Sequence, residues 1–305
     1  YVGQAHDTNR IRFLLKKANN DSDSAAVQRM KELWLFAYTY AGAPTLYYGD
    51  EVGLTHDGIS DGSRWQDDPY NRTPFPWDDT PGSYGADTGN LLPHARKMAS
   101  IRLSYRALQD GDVQHGLIID DAQKLYGFAR TNGSQTALIA LNRDNAGHTA
   151  TFSGLNAAPY NLPNGTVLVD ALNGGTYTVT GGAVSLTVNS NWGAVLLEQS
   201  KVETPAAATG LTKTPSGANN LLSWNPVVSD TGAGRELAIS YEIYRGSTST
   251  FTPSAANLVA TIAPPNFGGT SAGKITYTHV SAPAGSFYKI RAINAGGKNS
   301  TSAGF

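Results

Sequence analysis

The chain has 305 residues, no cysteine, and 23 basic against 24 acidic side chains. That length accommodates two domains or three small ones, and a hydrophobic content of 40% is enough to build real cores. The near-zero charge excludes the basic field that a nucleic-acid backbone requires, and the lack of Cys excludes disulfides, thiolate zinc sites and a cysteine nucleophile.

Charged residues make up only 15% of the chain, while Gly (33) and Tyr (15) are plentiful. This composition suits a β-rich, secreted bacterial protein. No run reads as a membrane span. The uncharged stretch from Leu33 to Gly49 contains Gly42 and Pro44 and falls short of the ~20 residues a bilayer needs. The chain opens at Tyr1 without a signal-type apolar stretch, so its start is expected to be processed or truncated. Charge density then divides it: residues 1–110 hold 26 of the 47 charged side chains, residues 111–198 hold 9 and residues 199–305 hold 12.

Residues 1–110 read as mixed α/β. Asp21, Asp23 and Ser24 suit a helix start, where carboxylates meet the positive end of the dipole. Met30, Leu33, Trp34, Ala37 and Tyr38 follow at helical spacing, and Gly42 with Pro44 stops the run. Thr45, Leu46, Tyr47 and Tyr48 form a short apolar run of the kind found in strands buried on both faces. A long polar loop follows to about Gly89, then a second helix from about Pro93 to Leu108. Strand end, helix, strand, loop, helix is the tail of a repeating β/α architecture.

Residues 111–198 read as an antiparallel β-sandwich, with strands over 124–131, 135–142, 166–172, 176–180, 183–188 and 193–198. Turn signals such as Asn132-Gly133 and Gly181-Gly182 separate them. A linker over 199–207, with one Pro and little to bury, is expected to be extended and exposed. Residues 208–305 are again β, with period-two alternation over 221–224, 241–245, 274–280 and 287–294. Trp192 and Trp224 read as β-core residues.

Three segments carry a family resemblance. Residues 1–10 (YVGQAHDTNR) resemble the motif that ends strand seven of the (β/α)8 TIM barrel in the α-amylase family of glycoside hydrolases. Residues 43–53 (APTLYYGDEVG) resemble its eighth strand. Residues 68–77 (DPYNRTPFPW) resemble the following loop, particularly in neopullulanase-like and amylopullulanase-like members. The family also carries a β-sandwich directly after its barrel, so the resemblance covers residues 1–198. Residues 208–305 resemble a fibronectin type III module through Trp224, Tyr241-x-x-Tyr244-Arg245 and Tyr288-x-x-Arg291-Ala292. The resemblance therefore implies the last quarter of a catalytic barrel followed by two β domains.

What the resemblance implies for chemistry is specific. Glycoside cleavage passes through an oxocarbenium-like state between two carboxyl groups, and hydrogen bonds to the sugar 2-OH tighten there. Asp7, at a strand end on the face where barrel active sites sit, is implied as the transition-state stabiliser; the plainer alternative is a loop carboxylate capping the next helix. His6 is implied to donate to a sugar hydroxyl beside it, against a satisfied buried His. Asp68 and Arg72 are implied to pair and line the donor-side subsites, against a structural loop salt bridge. Asp50 and Glu51, adjacent on an expected strand, point to opposite faces and read as structural. Trp65, Tyr70, Trp77 and Tyr84 suit sugar stacking or loop packing.

The family's nucleophile and acid/base sit on strands four and five, which would precede Tyr1. The expected function is hydrolysis of α-glucosidic bonds in starch-type α-glucans by a retaining mechanism, with α-1,4 bonds as targets and α-1,6 bonds as further candidates. The N-terminal part of the same enzyme is then the expected partner, and the chain alone an inactive fragment. No cofactor is expected in the chain itself; any calcium would belong to the preceding segment. A transglycosylase of the same family and a non-catalytic carbohydrate-binding fragment are the alternatives.

Overall fold

The computed structural model describes residues 8–55, 70–75, 90–264 and 273–304. The chain divides into two compact units, Tyr1–Lys201 and Val202–Phe305.

The first unit opens with helices. α1 spans Ile11–Asn19 and ends on left-handed Asn20, with Lys16 and Lys17 in its last turn where the dipole favours cations. The sequence reading has no helix here. α2 spans Asp23–Thr39, and the Ser22 hydroxyl accepts from Ala25 N at 3.2 Å, satisfying a donor the first turn leaves open. Arg12 of α1 reaches the Asp23 carboxylate at 2.8 Å. Val27, Met30 and Trp34 form a buried stripe that packs on Leu91 and Ala95 of α3, Leu91–Leu103.

α3 does not run on to Leu108. Tyr105 adopts extended backbone angles, and a short α4 (Arg106–Asp110) follows. The break buries Tyr105 completely. Its hydroxyl meets Thr136 O at 3.1 Å and Glu198 Oε1 at 3.2 Å, in strands far along the chain.

α2 ends at Thr39, before the glycine and proline expected to stop it. Two arginines meet its C-terminal carbonyls. Arg102 of α3 donates to Tyr38 O, Tyr40 O and Gly42 O at 2.6–3.1 Å. Arg130 donates to Thr39 O and Tyr40 O at 2.8 and 2.6 Å, and to Leu108 O and Gly111 O. Carbonyls that a helix cannot pair internally are thus answered by buried cations.

The strand expected at Thr45–Tyr48 is not formed. These residues have no ladder partner, and Tyr48 is 38% exposed. A strand is defined by its neighbour, and among the described residues before Asp112 there is none to pair with.

Eight strands complete the first unit: β1 Asp112–Asp120, β2 Leu125–Thr131, β3 Thr136–Asn142, β4 His148–Phe152, β5 Val167–Asp170, β6 Thr176–Thr178, β7 Val184–Val188 and β8 Trp192–Glu198. Six make an antiparallel sheet in the order β1-β2-β3-β8-β5-β6, and β4 pairs with β7. Phe152, Leu138, Leu168, Leu186 and Leu196 fill the core between them. β7 alternates buried and exposed residues, whereas every residue of β3 is buried. The central strands have a second covered face, and Gly193 allows it: a Cβ there would lie 2.6 Å from Ala140 O and 2.8 Å from Leu35 of α2.

His94 of α3 is buried between Trp34 and Trp192, at ring separations of 6.3 and 5.4 Å, with Nε2 on Lys31 O at 3.0 Å. Trp192 is therefore a half-buried side chain at the helix–sheet junction, and its indole N–H donates to Asn173 Oδ1 at 2.7 Å.

The second unit holds β9 Thr212–Ser216, β10 Asn219–Trp224, β11 Ser240–Gly246, β12 Leu258–Ile262, β13 Ile275–His279, β14 Phe287–Ile293 and β15 Ala303–Gly304. They form two antiparallel sheets, β13-β10-β9 and β12-β11-β14-β15. Leu222, Trp224, Tyr241, Ile243, Tyr288 and Ile290 make its core, and Trp224 is fully buried.

The linker expectation fails at this unit's start. Val202, Pro205 and Ala208 are buried, Pro205 bridges Asp230, and Asn294 Nδ2 donates to Glu203 O at 2.9 Å. Small apolar residues that looked dispensable instead pack against their own domain. No helix among the described residues is long and apolar enough to cross a membrane.

Candidate active site

Three stretches distant in sequence meet at residues 8–10, 47–50 and 71–73. Asn71 is fully buried, and its Nδ2 donates to Thr8 O at 3.2 Å. The Tyr47 hydroxyl donates to Asn71 O at 3.4 Å, and that of Tyr48 to Thr73 O at 2.9 Å. Arg10 is fully buried and closes the cluster. Its Nη1 donates to Tyr48 O at 2.7 Å and lies 3.4 Å from Asp50 Oδ1.

The rest of the Arg10 guanidinium is held by π-faces. Its centre lies 4.6 Å from the Tyr47 ring and 4.8 Å from the Tyr48 ring, a favourable arrangement for a desolvated cation. Nε and Nη2 have no hydrogen-bond partner among the described residues. A lysine would not hold both ring contacts together with the bonds to Tyr48 O and Asp50, because its compact ammonium lacks the planar fork.

The approach of Arg10 depends on Gly49. Its φ is +86°, which favours glycine, and an added Cβ would come within 2.8 Å of Leu54 and 3.3 Å of Arg10 Nη1. The chain then turns through a 3-10 helix, Asp50–Val52. Asp50 and Glu51 are therefore on a turn, not on a strand with opposite faces. Burial pushes the Asp50 carboxyl up to about 7; Arg10 pulls against this and neighbouring Glu51 adds to it. Asp50 serves the frame: it is directed at Arg10.

Of the sequence-predicted site residues, Arg72 is described. It is exposed on the 3-10 turn Tyr70–Arg72, beside the buried Asn71. His6, Asp7 and Asp68 lie outside the described residues, as do Trp65, Trp77 and Tyr84. The geometry brings together the flanks of the three motifs: Thr8 follows Asp7, and Asn71 precedes Arg72. Sequence reasoning assigned no role to Arg10, Tyr47 or Asn71. The available signal was that Arg10 and Asn71 are polar residues inside the very segments that carried the resemblance. Among the described residues, no group of three His, Asp or Glu side chains could hold a metal ion.

The described part supplies a rigid frame rather than a complete acid/base pair. Cleavage of a glycosidic bond needs two carboxyl groups flanking it, and the one buried here, Asp50, is committed to Arg10.

Comparison with known proteins agrees with these segments. Residues 1–111 match the family model for the α-amylase catalytic domain. The chain is 28% identical over 263 residues to an amylopullulanase from Thermoanaerobacter thermohydrosulfuricus, covering 80% of this chain and 16% of the relative. It is 34% identical over 141 residues to a cyclomaltodextrinase from Geobacillus thermopakistaniensis, covering 46% of this chain and 20% of the relative. The chain thus spans a fifth or less of these relatives. The amylopullulanase match is too long to fit within the first 201 residues, so it reaches into the second unit. In fold, the chain resembles the solved structure of AmyP in complex with maltose, with a TM-score of 0.52 and 20% identity over 63% of this chain and 39% of that one.

Proposed function

We propose that this chain contains the C-terminal part of the catalytic domain of an α-amylase-family glycoside hydrolase acting on starch-type α-glucans, with α-1,4 bonds as targets and α-1,6 bonds as further candidates. The observation that carries the reading is the junction of the three motif segments: Asn71 on Thr8 O, Tyr47 on Asn71 O, and Arg10 on Tyr48 and Asp50. Segments that resemble one family's strand ends and loop are held to one another by polar contacts of the buried Asn71 and Arg10. The family match over the same residues supports it.

In this reading Asp7 grips the ring hydroxyls at the cleavage subsite. Its hydrogen bond to the 2-OH strengthens as positive charge spreads over the anomeric carbon, and such bonds supply several kcal/mol. His6 donates to a neighbouring hydroxyl. Asp68 and Arg72 line the donor side, where a guanidinium fork and a carboxylate match adjacent sugar hydroxyls. The nucleophile and the acid/base belong to a segment preceding Tyr1. The mechanism is a retaining double displacement, for which two carboxyl groups ~5–5.5 Å apart are required.

The sandwich β1–β8 is the domain that follows the barrel, and the second unit is a fibronectin type III-like module. The protein acts outside the cell. Reducing-end release from starch and pullulan tests the assignment of roles. The 305-residue chain alone is expected to release none, and adding the preceding polypeptide is expected to restore turnover. Steady turnover by the isolated chain would overturn it.

A further inference from the structure

One carboxylate in the first unit is left unanswered. Glu32 of α2 is 8% exposed, yet its Oε1 has no hydrogen-bond partner, and among the described residues Glu32 forms no ion pair. Burial pushes its carboxyl up to about 7, against the pull of Arg143 and Arg29. Both guanidiniums stand close enough to be felt, but neither closes on it. Arg29 is held by Asp21 at 2.8 Å, and Arg143 is exposed just beyond the end of β3.

Glu32 lines a hollow of ≈ 340 Å³ together with Leu15 of α1, Arg29 and Phe36 of α2, Leu141 of β3, and Arg143. Arg29, Glu32 and Phe36 fall three and four residues apart, so they share one face of α2. The volume exceeds what one or two ordered waters fill and reaches the range of ligand pockets.

The lining selects a chemical class. An anionic ligand would face Glu32, and a cationic one would face two arginines. A neutral molecule with an apolar face and a hydroxyl edge satisfies every wall: C–H groups against Phe36, Leu15 and Leu141, hydroxyl donors to the Glu32 carboxylate, and hydroxyl acceptors for the guanidiniums. A pyranose has this shape.

We propose that the hollow between α2 and the end of β3 is a second sugar-binding site, built to take a maltosyl unit of an α-glucan, distinct in its residues from the motif cluster around Thr8 and Asn71. The choice of an α-glucan rests on the function proposed above.

Backbone-amide NMR of the 305-residue chain titrated with maltose tests this. Saturable shifts are expected at Leu33, Phe36 and Leu141 in the wild type. They are expected to weaken by about tenfold or more in apparent affinity in both Glu32→Leu and Arg143→Ala. The first replaces the carboxylate with an apolar side chain that accepts no hydrogen bond, and the second removes an exposed rim group without touching the core. No saturable shift at these amides, or shifts unchanged in both variants, would overturn the proposal. Shifts confined to Thr8–Arg10 and Asn71–Thr73 would overturn it while leaving the proposed function standing. Shifts in the hollow, combined with an Asp7→Asn enzyme of undiminished turnover, would instead place the failure in the function.

Discussion

Arg10 Nη1 meets Asp50 Oδ1 at 3.4 Å across forty residues of sequence, and both side chains are buried. The pair ties the residue run that follows Asp7 to the turn that follows Tyr48. Arg10→Met is expected to leave Asp50 without its cation. Stability should fall by roughly 3–5 kcal/mol at pH 8, where the wild-type carboxylate is ionised and loses its buried cation. The loss should be smaller at pH 5, where Asp50, already raised to about 7, stays neutral. Adding Asp50→Asn should recover part of the loss. Urea unfolding of the two single variants and the double variant checks this; equal losses at both pH values would contradict it.

The two arginines at the end of α2 predict a local effect. Arg102→Met removes the arginine donor from Tyr38 O and Gly42 O, while Tyr40 O keeps Arg130. Each buried acceptor left unsatisfied costs about 1–3 kcal/mol. Amide exchange should quicken first in the last turn of α2 and in residues 40–42. Exchange that changes uniformly across the first unit would argue against a capping role.

His94 makes the helix–sheet junction sensitive to acid. Burial pushes its pKa down to about 4 from an ordinary 6.5, so the folded state keeps the ring neutral while the unfolded chain takes up a proton. The stability it contributes is fully present above 6.5 and is lost as pH falls toward 4. A displacement of that size is worth about 3 kcal/mol. His94→Phe, which keeps a ring between Trp34 and Trp192, should flatten the thermal-midpoint profile of the first unit across pH 4–6.5. An unchanged slope would contradict the assignment.

Glu236 carries the opposite sign in the second unit. Burial raises its carboxyl to about 7, although Asn294 Nδ2 and Leu237 N donate to it. Below the unfolded value near 4.5 both states are protonated and nothing is lost. Stability then falls as pH rises to about 7, and the full cost remains above that. Glu236→Gln should remove this fall, so that its midpoint is nearly level between pH 5 and 8. A wild-type midpoint that rises across the same window would contradict the sign.

The helices and strands legible in the sequence were those whose order is local. α2 showed its buried stripe at helical spacing, and the strands β2, β3 and β8 showed apolar runs between turn signals. α1 was missed although Ile11, Leu14 and Leu15 follow helical spacing; Ile11 and Leu15 pack on the α2–α3 core, and Arg12 reaches Asp23. The break at Tyr105 was hidden because its cause lies in Glu198 and Thr136, and helix propensity alone would continue through it. β1 carries too many polar residues to read as a strand, and it is held by pairing with β2. The burial of Val202 and Pro205 likewise depends on residues around Asp230 and Asn294. For the site, the three segments were legible as segments. The residues that join them, Arg10, Tyr47 and Asn71, acquire meaning only once their partners are known.

The central claim is that Asp7 stabilises the transition state of α-glucan cleavage. Its most direct test is turnover of starch by the longest active polypeptide containing residues 1–305, compared with the same protein carrying Asp7→Asn. Removing a hydrogen-bond acceptor that acts mainly in the transition state should lower kcat by about a hundredfold or more with little change in KM. A variant that retains wild-type kcat would contradict the account.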